Sequence, residues 1–298
     1  MRPAVLAVLL VLAIAPAAPA DHRDANLPWP SLLPALPVTT AVQPRPVEGC
    51  PKAELACVDR LIERLERQWR ELDAACDHRV LFARSYFRIT QELRRDLARE
   101  RPELFRHREW MLLLIAEFSN MYFGAFEGWE EGRPIPGAWQ VAFDAAARGD
   151  VTAAQDVLLG SNAHVQHDLP LALAKLGLRT PEGASRKGDH DGVNTVNTRL
   201  FDELEDLFAA RYDPSFTLLD LKPLPLDELA AMELVKLWRE GAWRSAERLL
   251  LARTPAQRRR IERQIELSSR LWAELIRSFQ IPGWRAVRDR WCRATAAP

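Results

Sequence analysis

Large apolar side chains recur every three or four residues along most of the chain, with arginine and glutamate between them. This spacing puts the apolar side chains on one face of a helix. The pattern begins near Lys52 and predicts a first helix through Leu55, Leu65 and Leu72. It predicts further helices over residues 78–98, 103–130, 138–148, 151–176, 191–211, 226–251, 255–279 and 283–294.

Strands are not predicted, because no run of alternating β-branched residues occurs. We therefore expect an all-α fold in which residues 52–298 form a single multi-helix domain without a tandem repeat. Residues 103–130 carry large apolar side chains on more than one helical face, among them Trp110, Phe118 and Phe126. A helix of this kind is normally central to the core.

The first twenty residues have the features of a signal peptide. Arg2 gives a positive start, residues 4–14 are an unbroken apolar run, and Ala18-Pro19-Ala20 offers the small residues that signal peptidase recognises. The run is shorter than the ~20 residues that span a bilayer, which disfavours the alternative of an uncleaved anchor. We expect cleavage near Ala20, a secreted or periplasmic protein, and no stable membrane span after cleavage.

Residues 21–51 are rich in proline, which removes backbone donors and forbids helix. We expect an extended, Pro-rich arm. Trp29, Leu32 and Leu36 give this arm apolar side chains that a fully solvated linker does not need. The arm is therefore expected to lie over the helical body. The alternative is a polyproline ligand for another protein.

The predicted mature chain contains four cysteines, Cys50, Cys57, Cys76 and Cys292. An even number in an exported protein indicates disulfides. Four cysteines allow three pairings, and the sequence alone does not choose among them. We favour a short Cys50–Cys57 loop ahead of the first helix and a Cys76–Cys292 bridge that ties the two ends of the domain together.

The formal net charge is zero, with 41 Lys and Arg against 41 Asp and Glu. This balance excludes a uniformly basic nucleic-acid binder, and no nucleic-acid partner is expected. Ten tryptophans indicate a heavily packed core or a cavity for a small-molecule or lipid-like ligand. The sequence lacks the motifs of serine hydrolases, nucleotide-binding loops and c-type cytochromes.

The segment Gly160-Ser-Asn-Ala-His-Val-Gln-His-Asp-Leu-Pro170 contains a close group of candidate functional side chains. Side chains three and four positions apart share a face of a helix, so His164, His167 and Asp168 are expected to lie together. An imidazole and a carboxylate at this spacing form a two-point clamp for a divalent metal such as zinc. The alternative is a structural pair that bonds only within itself and to neighbouring helices.

Residues 162–170, Asn-Ala-His-Val-Gln-His-Asp-Leu-Pro, resemble the NAHINxDLP signature of an uncharacterised bacterial family, domain of unknown function 5995. Similar blocks lie, in the family's order, at Phe82–Thr90, Phe118–Phe126, Ile135–Trp139 with Phe143, and Val196-Asn197 with Leu200. The resemblance spans roughly residues 75–250 and implies Asn162, His164, Asp168 and Asn197 as the recurring polar positions. His167 falls at a variable position and is set aside as a primary ligand. Gln166 replaces the usual asparagine, and the family implies no reaction.

Glu117 is a further candidate because it interrupts the apolar 103–130 helix, together with Asn120. A carboxylate in so apolar a helix needs a partner, which Arg84, Arg88 or a metal could supply. Other candidates are weaker. Asn194 and Asn197 could face His164 across a helix pair or be exposed. Asp189 and Asp191 are expected to cap a helix start. Tyr86 and Tyr122 are expected to lie in the core.

Two hypotheses about function follow. In the first, the protein is a metal-dependent hydrolase of an ester or phosphoester, with His164 and Asp168 as ligands and Glu117 or Asp191 completing the set. In the second, it is a non-enzymatic helical ligand-binding or structural protein. His164, Asp168 and Asn197 then form a buried hydrogen-bond network.

Overall fold

Helices form most of the chain that the computed structural model describes, which is residues 32–215 and 226–295. They are α1 (Leu55–Ala74), α2 (Val80–Ala98), α3 (Arg108–Glu130), α4 (Gly137–Arg148), α5 (Ala153–Asn162), α6 (Leu169–Leu176), α7 (Lys187–Arg211), α8 (Leu226–Leu251), α9 (Pro255–Arg277) and α10 (Trp284–Ala294). Within these ranges there is no strand, only isolated bridges between Val47 and Cys50 and between Arg179 and Ser185. The prediction of a single all-α domain is confirmed.

Two predicted segments lie outside the described residues, namely the signal peptide and residues 21–31 of the arm, and residues 216–225 and 296–298 lie outside them as well. Among the helices that are described, none is both long enough and apolar enough to cross a membrane.

Helix α3 runs through the core, as its apolar composition predicts. Its buried side chains point in all directions around the helix axis, and they include Trp110, Leu112, Ile115 and Phe126. Helices α1, α4 and α6 are among its neighbours. Because several helices pack against α3, it fixes the positions of the side chains that contact it from those helices.

The segment from α5 to α6 departs from the predicted continuous helix over residues 151–176. A π-helical turn, Ala163–Asp168, joins the two α-helices. Pro170 follows in the first turn of α6 and has no N–H, so it interrupts the α-helical hydrogen bonding, and the wider turn accommodates this. The turn contacts α3, α4, α8 and α9, so its side chains lie in the middle of the helical body.

The described part of the arm lies against the helices. The N–H of Leu36 donates to Glu247 in α8, and Arg244 in the same helix donates to the carbonyl oxygen of Leu33. Arg179, beyond α6, donates to the carbonyl oxygen of Val38, whose side chain is buried. These contacts anchor the described part of the arm, most of which is neither helix nor strand.

Both predicted disulfides are present. Cys50 bonds to Cys57, and Cys76 bonds to Cys292 across 216 residues of sequence. All four cysteines are paired. The second bridge joins α10 to the segment that follows α1, so it ties the two ends of the domain as predicted. Paired cysteines are typical of proteins from oxidising compartments.

Helix α10 also carries a buried cation, Arg288, which is 0% exposed. Arg288 donates to Asp156 in α5 and to the carbonyl oxygen of Val151, each at 2.7 Å, and lies 3.3 Å from Asp213. Burial raises the pKa of Asp156 to about 7, although Arg288 opposes the rise. This ion cluster and the Cys76–Cys292 bridge together hold α10 against the body.

Candidate functional site

The π-helical turn brings His164 and Asp168 together, as their spacing predicts. Both side chains are 2% exposed, and Nδ1 of His164 lies 3.0 Å from Oδ2 of Asp168. Gly160, one turn earlier, lets the ring of Phe82 close onto the helix, since a Cβ at Gly160 would lie 2.4 Å from that ring. The pair is therefore enclosed within the core.

Asp168 is the centre of a larger hydrogen-bond network. The indole Nε1–H of Trp139 in α4 donates to its Oδ2 at 2.9 Å, and Nδ1 of His167 lies 2.7 Å from its Oδ1. Burial raises the pKa of Asp168, but the hydrogen bonds from His164 and His167 outweigh burial and hold this pKa below its usual value. The carboxylate is therefore ionised, and both of its oxygens are engaged.

His167 extends this network to α9. Its Nε2 lies 3.2 Å from Oε2 of Glu266, and Oε1 of Glu266 accepts the N–H of Gly137 at 2.8 Å. Burial lowers the pKa of His167, but hydrogen bonds to Asp168 and Glu266 outweigh it and raise the pKa to about 9. His167 is thus an imidazolium between two carboxylates, with 13% of its side chain exposed, and it links the π-helical turn to α9.

We expect this arrangement to make the free energy of unfolding depend on pH. A histidine whose pKa is raised by folding stabilises the fold fully below its ordinary pKa of 6.5 and loses that contribution as the pH rises through about 9. The contribution amounts to about 3 kcal/mol. Urea denaturation across this interval measures it. The control is His167→Gln, because the difference between the two proteins isolates His167 from other titrating groups, and a parallel decline in both proteins contradicts the assignment.

Aromatic rings surround the imidazole of His164. The ring of Phe118 stacks on it with an interplanar angle of 5°, and Tyr86 contacts it edge-on at 4.7 Å between centroids. Burial lowers the pKa of His164, although Asp168 opposes this, so the ring is neutral. Since Nδ1 faces a carboxylate, the proton lies on Nδ1, and Nε2 is left as a hydrogen-bond acceptor.

The Nε2 atom of His164 is buried and has no hydrogen-bond partner. His164 lines a cavity of about 100 Å³ whose wall is mostly apolar. A neighbouring cavity of about 170 Å³ shares part of this wall. The residues common to both cavities are Ser85, Ile89, Ser161, Asn197 and Val235. A cavity of roughly 150 Å³ is large enough for a molecule the size of benzene.

Asn197 in α7 lines both cavities, so the structure brings it to the same site as His164. Its Oδ1 is buried and has no hydrogen-bond partner. Asn162 has a different place. Its Nδ2 donates to the carbonyl oxygen of Ser269 in α9, and its Oδ1 accepts from Gln166. Asn162 therefore anchors the π-helical turn to α9.

Glu117 does not join the site. Its Oε2 lies 2.6 Å from Nζ of Lys175 in α6, so its partner is neither of the predicted arginines nor a group of the His164–Asp168 pair. Arg84 donates instead to the hydroxyl of Tyr212, and Arg88 pairs with Glu203. Consecutive residues of a helix point about 100° apart, so when Phe118 faces His164, Glu117 faces elsewhere.

The aspartates at the start of α7 have partners of their own. Asp191 pairs with Lys187 and with His190. Asp189 is buried and accepts the N–H groups of Arg106 and His107, so it caps the start of α3, not that of its own helix.

The predicted set of metal ligands is not brought together. In the part of the chain that the structure describes, no group of three or more His, Cys, Asp or Glu side chains could hold a metal ion. His164 and Asp168 face each other, and the oxygens of Asp168 are engaged with Trp139 and the two histidines. The pair therefore offers one free ligand atom, Nε2 of His164.

Three contributors to the site are absent from the sequence prediction. Trp139 lies in a block that resembles the family, but no role follows from its position in the sequence. Glu266 and Arg239, which lines the cavity beside His164, lie among other charged residues of amphipathic helices, where such side chains are usually solvated. Only the packing of α4, α8 and α9 on the π-helical turn shows that they reach the interior.

The fold and the site define an all-helical protein in which a buried, aspartate-oriented histidine lines an apolar cavity. The chain belongs to a family of unknown function, DUF5995, which matches residues 58–279. The predicted resemblance is therefore confirmed, and the matched region contains the whole π-helical turn. No curated protein and no solved structure matches the chain significantly.

Proposed function

We propose that the protein binds a small, largely apolar molecule in the cavity beside His164. The observation that carries this proposal is the unpartnered Nε2 of His164, a buried acceptor in a mostly apolar wall. An unsatisfied buried polar atom costs about 1–3 kcal/mol, and a ligand that donates a hydrogen bond to it removes this cost. The ligand is therefore an apolar molecule with a hydroxyl or a similar donor.

The network around Asp168 supports this role. Asp168 holds the proton of His164 on Nδ1 and keeps Nε2 in the acceptor form, while Trp139 and His167 hold Asp168 in place. The acceptor is thus oriented before a ligand arrives, which lowers the entropy cost of binding. The neighbouring cavity shares wall residues with this one, and we assign the apolar body of the ligand to it.

Titration calorimetry with vicinal octanediol, a hydroxylated apolar chain, tests the proposal. We expect saturable binding by the wild type and about two- to tenfold weaker binding by His164→Asn, since one hydrogen bond contributes about 0.5–1.5 kcal/mol. Asparagine replaces the Nδ1 donor to Asp168 but has no counterpart of Nε2. The matched control is His78→Gln, because His78 is another buried histidine with a carboxylate partner, Asp289.

A second variant blocks the space itself. Val235 lines both cavities, so Val235→Phe fills part of each. We expect this variant to abolish diol binding while its helical circular dichroism stays unchanged. Undiminished diol binding by Val235→Phe contradicts the proposed function.

A metal-dependent hydrolase is the second candidate, and the Asp168–His164 contact favours it. Histidines that bind zinc commonly give their other nitrogen to a carboxylate. In this version Nε2 of His164 would be the one ligand atom that the pair supplies, the other ligands would come from outside it, and Asp168 would position the ring. A bound divalent ion would activate water against an ester or phosphoester. Zinc binding by the wild type and by His164→Asn distinguishes the two candidates. Stoichiometric zinc binding that His164→Asn abolishes would favour the hydrolase.

We also propose that the protein is exported and that residues 1–20 are a signal peptide. The apolar run and the Ala18-Pro19-Ala20 sequence support cleavage near Ala20, which makes Asp21 the first residue of the mature chain. The two disulfides support a secreted or periplasmic location, because such bonds persist in oxidising compartments.

A further inference from the structure

Arg239 is a buried cation that lines the cavity beside His164. Its side chain lies in α8 and is 5% exposed. Its Nη2 donates to the carbonyl oxygen of His190, and its Nε has no hydrogen-bond partner. Burial lowers the pKa of Arg239 to about 10, against the opposing effect of Asp191, so the guanidinium is charged at neutral pH.

Among the described residues no carboxylate forms an ion pair with Arg239. Asp191, whose charge acts on Arg239, pairs with Lys187, and Glu240, the next residue of α8, pairs with Lys187 and Arg244. A buried charge without a counter-ion destabilises the folded state, because the low-dielectric interior does not replace the hydration of the charge. Arg239 thus lacks an anionic partner among the described residues, and a bound anion would supply one.

Three buried polar atoms without partners belong to residues of this one cavity wall. They are Nε of Arg239, Nε2 of His164 and Oδ1 of Asn197. The first is a donor on a cation, and the other two are acceptors. A molecule with an anionic group, one hydrogen-bond donor and an apolar body satisfies the cation and one of the two acceptors.

We propose that the ligand is an apolar hydroxy acid. Its carboxylate binds Arg239, and its hydroxyl donates to His164 or Asn197; this inference rests on the ligand-binding function proposed above. The carboxylate supplies the missing counter-ion through a charge-assisted hydrogen bond, which is roughly twice as strong as a neutral one. The alkyl chain lies in the neighbouring cavity, against Val157 and Leu158.

Two probes that differ only in the head group test this inference on the wild-type chain. They are hydroxyoctanoate, with the hydroxyl on the carbon beside the carboxylate, and vicinal octanediol, in which a neutral alcohol replaces the carboxylate. We expect hydroxyoctanoate to bind at least about tenfold tighter in calorimetry at neutral pH. Equal affinities overturn the inference and leave the proposed function intact, whereas binding of neither probe overturns both.

Removal of the cation gives the second arm of the test. Arg239→Met is expected to weaken hydroxyoctanoate binding about tenfold or more and to change diol binding by less than about twofold. Arg239→Gln, which keeps a donor for the carbonyl oxygen of His190, is expected to do the same if the methionine variant folds poorly. The control is Arg259→Met, which removes one positive charge from an exposed position of α9. If both Arg239 variants still bind hydroxyoctanoate more tightly than the diol, the inference is overturned. The comparison of the two probes on the wild type does not depend on whether any variant folds.

Discussion

Replacing Asp168 by alanine is expected to lower the free energy of unfolding by about 3–5 kcal/mol. Asp168 is 2% exposed and accepts hydrogen bonds from Trp139, His164 and His167. Without the carboxylate, two buried neutral donors have no acceptor, and the His167 imidazolium retains only Glu266. Breaking a buried charge pair from one side is costly because the other charge stays buried.

Urea denaturation at neutral pH measures this effect, and Asp59→Ala is the matched control. Asp59 also pairs with a cation, Arg94, but its side chain is 43% exposed, so its loss is expected to cost at most about 1 kcal/mol. A loss for Asp168→Ala no larger than that for Asp59→Ala would show that the network does not stabilise the fold. The result bears on binding as well, because the same carboxylate sets which nitrogen of His164 carries the proton.

The helices could be predicted from the sequence because amphipathic periodicity is a local property. The ends of the helices are harder to predict. The pattern predicts a helix from residue 103, whereas α3 begins at Arg108, after the N–H groups of Arg106 and His107 that Asp189 caps from α7. A cap that comes from 82 residues further along the chain leaves no mark in the local pattern.

The candidate site shows the same division between local and distant contacts. The pairing of His164 with Asp168 follows from four-residue spacing, and the π-helical turn preserves it. The partners that complete the network come from α4 and α9, and the buried cation comes from α8. Their positions depend on how helices pack, which spacing within one helix does not determine.

Glu117 illustrates a correct premise with a wrong partner. The sequence indicates that a carboxylate in an apolar helix needs a counter-ion, and the structure supplies one in Lys175. The half-exposed amine of Lys175 reaches Glu117 from α6, on a face of α3 that points away from His164. Charge balance could be inferred from composition along the helix, but the identity of the partner could not.

The two disulfides are expected to differ in their contribution to stability by more than a factor of two. In the chain-entropy model a bridge stabilises the fold by restricting the unfolded chain, and the effect grows with the length of the closed loop. Cys76–Cys292 closes 216 residues, which corresponds to about 5 kcal/mol, and Cys50–Cys57 closes 7 residues, which corresponds to about 2 kcal/mol. We therefore expect the Cys76→Ala/Cys292→Ala protein to be the less stable of the two double variants.

Urea denaturation of both double variants under the same oxidising conditions measures the difference, with Cys50→Ala/Cys57→Ala as the matched control. The native contacts of α10 do not depend on the bridge alone, because Arg288 in the same helix binds Asp156, and we expect this contact to persist in the Cys76→Ala/Cys292→Ala protein. That variant is thus expected to keep the helical circular dichroism of the wild type while it unfolds at a lower urea concentration. Equal losses for the two variants would contradict the loop-length argument. They would mean that packing of α10, and not restriction of the unfolded chain, sets the contribution of the long-range bridge.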